Sequence, residues 1–117
     1  MEERRSSRPI ANDPDRWQRV IEEVVEVSQL AEEVGFNTFC FSEHHLHSEG
    51  IEMGSLPVLT QHVVDNTKRI KVGPVGYVLP GWNPLRLALG IAWVDQLTKS
   101  RTFVGFAVAI SRADSTK

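Results

Sequence analysis

One cysteine in 117 residues, Cys40, leaves no intramolecular partner for a disulfide, and a chain that does without that cross-link fits a reducing, cytoplasmic compartment. Cys40 lies within the apolar run Phe39-Cys40-Phe41 and is expected to be a buried, inert thiol. No apolar run approaches the roughly 18 residues of a membrane span. Residues 1–13 carry Arg4, Arg5 and Arg8 but no apolar segment of the kind a secretory signal needs, so nothing is expected to export or anchor the chain. An excess of one charge is also missing. The 13 basic and 15 acidic residues are mixed along the sequence and sum to −2, which leaves no basic surface to displace counterions from nucleic acid. Neither G-x-x-x-x-G-K-[ST] nor G-x-G-x-x-G occurs, so the glycines around Gly73-Pro74-Val75-Gly76 do not read as a phosphate loop. What is present, 41% hydrophobic and 24% charged residues, is the composition of a globular domain, and the length allows one small one.

Residues 1–14 hold Pro9 and Pro14 among polar residues and show no period, a loose leader. From Asp15 to Val34, apolar residues recur at Trp17, Val20, Ile21, Val24, Val27, Ala31 and Val34, the spacing of one helix face. Gly35 supplies the stop. Thr38 to Phe41 is short, aromatic and β-prone, and is expected to be a buried strand. A second helix is expected from Ser55 or Leu56, with Pro57 in its first turn, to about Thr67. Ile70 to Leu79 reads as a strand that Gly73, Pro74 and Gly76 would interrupt. Asn83 caps and Pro84 opens a third helix to about Leu97, and Thr102 to Ile110 is expected to be another apolar strand. Helices alternating with apolar strands imply an α/β fold with a parallel sheet. In such folds the segments after the strand C-termini carry the chemistry. Here these are Ser42 to His47, Val75 to Pro80 and Ala107 to Arg112.

The densest polar cluster, Ser42-Glu43-His44-His45-Leu46-His47, follows a strand directly. Imidazoles held there can exchange protons near neutral pH. Two other readings of the same residues stay open: polar groups hydrogen-bonded at a strand end, or zinc ligands, although the spacing is not that of H-E-x-x-H and no second ligand cluster follows. His62 lies beside Val63 and Val64 within a helix and reads as a structural or surface residue.

Taken together, Ala31 to Asn37, Phe41-Ser42-Glu43-His44-His45-Leu46, Asn66 to Gly73, Val78-Leu79-Pro80, Asn83-Pro84-Leu85-Arg86 and Asp95 to Arg101 resemble, in order and spacing, successive landmarks of the bacterial luciferase-like monooxygenases. The resemblance covers about Asp15 to Phe106. It implies a (β/α)8 barrel that uses reduced FMN, or in some branches a deazaflavin, to activate O2 or move hydride on a small organic substrate. It further implies His44 as the acid/base beside the flavin, Glu43 and His45 as supports of that pocket, and Val75-Gly76 as a non-prolyl cis peptide against the flavin ring, with Gly76 small enough for close backbone approach. No metal is implied.

The sequence also departs from that family. Met1 to Asp13 offers no first strand, and Val108-Ala109 stand where the family carries an arginine for the flavin phosphate and a glycine; valine supplies neither charge nor bidentate donors. A closed barrel needs on the order of 200 residues. The expected architecture is therefore a partial (β/α)8 TIM barrel over residues 15–110, with about three parallel strands alternating with helices, the first strand and C-terminal half missing, and a polar tail at 111–117. Its open edges predict a homo-oligomer or a partner chain that completes the barrel. The expected activity is flavin-dependent monooxygenation by a truncated form. The alternatives are a non-catalytic remnant or interaction module of the same family and, more distantly, a metal-dependent hydrolase.

Overall fold

The computed structural model describes residues 13–44 and 55–108. The elements run α1 (Pro14–Glu33), β1 (Thr38–Phe41), α2 (Leu56–Asp65), β2 (Lys71–Pro74), β3 (Tyr77–Val78), a 3-10 turn (Leu79–Gly81), α3 (Pro84–Leu97) and β4 (Phe106–Ala107). Among the described residues every strand pairing is parallel: β1 lies on β2 with Thr38 opposite Lys71 and Phe41 opposite Pro74, and β3 lies on β4 with Tyr77 opposite Phe106. A bridge from Val72 to Thr102 joins the two pairs, so three strand segments lie side by side in chain order. The expected interruption falls at Val75-Gly76, directly after Pro74, and β2 and β3 are the two halves of one segment. In the third segment Thr102 and Phe106–Ala107 pair, while between them Phe103 and Gly105 give their N–H groups to the Val72 and Pro74 carbonyls. Ala109 and Ile110 lie outside the described residues.

Helix boundaries follow their caps. The Asp13 carboxylate accepts from the N–H groups of Asp15 and Arg16, and Asn83 does the same for Leu85 and Arg86 at 3.1 Å each, both satisfying orphan donors of a first turn. Gly35 ends α1 at φ +99°, with the Phe36 N–H on the Ala31 carbonyl. α2 closes at Asp65, two residues before the expected end.

One face of the sheet is covered by helices. Phe41, Val72 and Tyr77 meet Leu56, Val63 and Val64 of α2 and Leu87 of α3 in one core. Among the described residues no helix covers the other face, and there the expected buried thiol is overturned. Cys40 is exposed, because strand alternation turns it away from its neighbours Phe39 and Phe41. The expected face of α1 is also corrected. Val27 and Val34 are more than half exposed, whereas Ser28 is fully buried. Val24, Ser28 and Ala31 form the inward stripe, with the Ser28 hydroxyl satisfied by the Val25 carbonyl. A small side chain lets the helix approach closely, and the larger ones are rotated outward. Among the described residues no helix is long and apolar enough to cross a membrane.

Candidate functional site

The C-terminal ends of the strands bring together side chains far apart in sequence. Beyond Phe41 the chain exposes Ser42, buries Glu43 and exposes His44. Glu43 is only 6% exposed, a costly place for a carboxylate without donors. Two donors reach it from the next strand end. The Val78 N–H donates to Oε2 at 2.5 Å, and the Trp82 indole N–H lies 2.8 Å from Oε1 and 3.0 Å from Oε2. These are charge-assisted bonds, the stronger kind. The Trp82 ring meets Tyr77 edge-on, with centroids 5.4 Å apart and planes at 89°. Burial of the Tyr77 phenol, reinforced by the negative charge of Glu43, pushes its pKa up to about 12, so it is a neutral hydroxyl at physiological pH.

Val75 and Gly76 cross the gap between β2 and β3. Their peptide bond is cis. The Val75 N–H donates to the Phe41 carbonyl at 2.9 Å, and the Tyr77 N–H to the Gly105 carbonyl at 2.8 Å, which fastens the segment to both neighbours. A Cβ on Gly76 would lie 2.7 Å from the Gly105 carbonyl carbon and oxygen and 2.8 Å from the Phe106 nitrogen. The adjacent backbone therefore demands glycine here whether or not a ligand ring does. The Val75 side chain is turned to solvent.

Glu43, His44, Val75 and Gly76 thus share one end of the sheet. His45 lies outside the described residues, as do His47 and Ala109. Val108 is exposed just beyond β4. His62 is exposed near the C-terminal end of α2. Among the described residues no three of His, Cys, Asp and Glu cluster as metal ligands. The sequence reading missed Trp82 and the polar environment of Tyr77. The available signal was Glu43 itself, a carboxylate right after an apolar strand, which needs donors from elsewhere in the fold.

Comparison with known proteins decides the lineage: the family model described as luciferase-like monooxygenase matches residues 6–116. The chain belongs to the luciferase-like monooxygenases. Among its luciferase-like relatives, the alkanal monooxygenase alpha chain of Photobacterium leiognathi is 37% identical over 84 residues, 72% of this chain and 23% of that one. The corresponding chain of Photorhabdus laumondii is 30% identical over 81% of this chain and 26% of the relative. This chain therefore spans about a quarter of the length of those curated relatives. The fold is similar to the oxygenating constituent of 3,6-diketocamphane monooxygenase of Pseudomonas putida, solved in complex with FMN, at TM-score 0.72 and 25% identity, covering 80% of this chain and 25% of that one. It is also similar to the monooxygenase RslO1 of Streptomyces bottropensis, at TM-score 0.75 over 87% of this chain and 30% of that one. The parallel strands and packed helices here are thus the α/β fold of luciferase-like enzymes.

Proposed function

We propose that this chain supplies one wall of a flavin site in which reduced FMN and O2 oxidise a small organic substrate. The observation that carries the reading is that His44 and Val75-Gly76 follow neighbouring, paired strand ends, with the Val75 N–H on the Phe41 carbonyl three residues before His44, in a chain of this family. The FMN-bound structural neighbour favours FMN over a deazaflavin.

The residues present fit the ring of such a cofactor better than its phosphate. Exposed Val75 and exposed His44 border a surface against which a planar ring system can lie, with the buried Gly76 closing the segment onto the Gly105-Phe106 backbone behind it. Val108 offers no charge for a phosphate at the end of β4. Reduced flavin supplies the oxygen chemistry when bound. Val75 and Gly76 would hold the ring's face, the Val75 side chain would exclude water there, and His44 would give or take a proton through its imidazole. Glu43, already engaged by Val78 and Trp82, would fix the loop that carries His44. His45 would support the same loop.

Apolar side chains on the outer helix surfaces support completion of the barrel by further elements. Leu85, Leu89, Trp93 and Leu97 of α3 are each more than half exposed and recur every fourth residue, and Val27, Leu30 and Val34 of α1 are exposed too. Surfaces of this kind are normally covered. We place the covering elements either in more of the same barrel or in a second chain.

Titration of the purified protein with FMN and reduced FMN, followed by flavin fluorescence quenching, tests the reading. Micromolar binding is expected, weakened in His44→Ala and tightened about tenfold in Val108→Arg, the gain from one charged hydrogen-bond contact. Absence of binding in all three proteins would sink it and favour a non-catalytic role.

A further inference from the structure

Trp82 has no part in the reading above beyond its bond to Glu43, yet its surroundings are built more firmly than a surface indole requires. Its backbone N–H donates to the Leu79 carbonyl at 3.0 Å, it immediately precedes the Asn83 cap of α3, and its ring rests on Tyr77, itself 2% exposed. The indole is thus fixed by the start of a helix and by the core. Its N–H reaches both oxygens of Glu43, and the residue bonded to Glu43 along the chain is His44. The Val78 N–H, two residues beyond Gly76, grips the same carboxylate.

We propose that Trp82 is a positioning residue for His44, acting through the Glu43 carboxylate to set the imidazole against the Val75-Gly76 segment. The geometry is a short relay: the α3 N-terminus holds Trp82, Trp82 holds Glu43, and Glu43 fixes the backbone from which His44 projects. One carboxylate shared by Val78 and Trp82 keeps the spacing between the two halves of the site constant. The role assigned to His44 rests on the flavin reading, but the relay can be measured without flavin.

Trp82→Phe keeps an aromatic ring on Tyr77 and removes only the indole donor. Glu43→Gln keeps the shape and one acceptor oxygen, and serves as the second variant should the first fold poorly. The His44 imidazole resonances, assigned by their loss in His44→Gln, are compared at one pH in the proteins without ligand, with melting temperature and the dispersion of amide signals as fold controls. In Trp82→Phe the His44 signals are expected to move beyond their linewidth while the fold controls hold, with a smaller displacement in Glu43→Gln. FMN affinity should fall about tenfold in Trp82→Phe, the loss of one charge-assisted bond expressed through the loop. His44 signals unmoved in both variants would overturn the relay. Signals that move in a protein that binds no FMN would uphold the relay and defeat the flavin reading alone.

Discussion

The two ends of the sheet are each tied by charged side chains, but the ties serve different purposes. At the N-terminal end, the Glu32 carboxylate accepts from the consecutive N–H groups of Lys68, Arg69 and Ile70, at 2.6 Å for Ile70, while the Arg69 guanidinium returns a bond to the Glu32 carbonyl at 2.9 Å. Arg101 donates to the carbonyls of Thr67 and Ile70 and to the Thr67 hydroxyl, 2.7 to 3.3 Å away, where the negative end of α2 favours a cation. These groups bind one another and the strand entrances, leaving little free chemistry. At the C-terminal end Glu43 is equally engaged, yet the adjoining His44 is exposed, and so is Val75 of the neighbouring segment. One end closes upon itself; the other holds still what faces solvent. On the flavin reading proposed above, this is the division between a stability face and a reactive face that barrel folds show.

The largest test of the contrast is Gly76→Ala, which puts a methyl within 2.8 Å of the Gly105-Phe106 backbone. A backbone neighbour cannot swing aside as a side-chain tip can, so a cost of about 3 kcal/mol is expected, the upper part of the usual overpacking range. Chemical denaturation measures it. A loss below about 1 kcal/mol would show that the segment shifts easily, and the C-terminal end would then not be the rigid wall described.

A smaller loss, on the order of 1 kcal/mol after allowance for solvent screening, is expected from Glu32→Gln at neutral pH, because three N–H donors lose a charged acceptor. Burial alone would raise the Glu32 pKa; the backbone N–H donors of Ile70, Lys68 and Arg69, helped by the Arg101 charge, outweigh it and hold the pKa below the usual carboxylate value. A depressed folded-state pKa contributes stability above the unfolded-state value that is lost as pH falls through the folded one. The denaturation midpoints of the wild type and Glu32→Gln should therefore differ at pH 7 and converge in acid, below the ordinary carboxylate range. A gap that stays constant down to strong acid would show that the carboxylate charge is not what ties this end, and FMN binding in this variant should be unchanged.

How far this contrast was legible beforehand depends on the reach of the interactions. Asn83-Pro84 announced α3 and Gly35 the end of α1, because caps and stops act within a turn. The break between β2 and β3 was legible in Gly73, Pro74 and Gly76 for the same local reason. Cys40 was misread since a run of three apolar residues does not reveal which face each takes when one side of the sheet is open. Ser28 was invisible as a buried residue because its burial reflects how closely α1 approaches its neighbours, a tertiary fact. Glu43 and His44 were named through resemblance, but the partners of Glu43 lie 35 and 39 positions along the chain. The clasp of Arg101 on Thr67 and Ile70 is likewise long-range, 31 to 34 positions.

The smallest effect sharpens the comparison by leaving both ends alone. Gly90 sits in the interior of α3, away from either set of ties, and the nearest atom to a Cβ there is the Pro57 Cγ at 3.8 Å, an ordinary contact. Its φ is not in the left-handed region, so alanine fits the native backbone without strain and restricts the unfolded chain. Gly90→Ala is expected to stabilise by about 0.5 to 1 kcal/mol, seen as a raised denaturation midpoint with an unchanged slope. His44 signals and FMN affinity should stay as in the wild type, because helix propensity in the middle of α3 does not act on Trp82 at its start. If Gly90→Ala moved the His44 signals as Trp82→Phe is expected to do, the helix would be acting as a whole upon the site, and the division between a tying end and a presenting end would have to give way to a single cooperative unit.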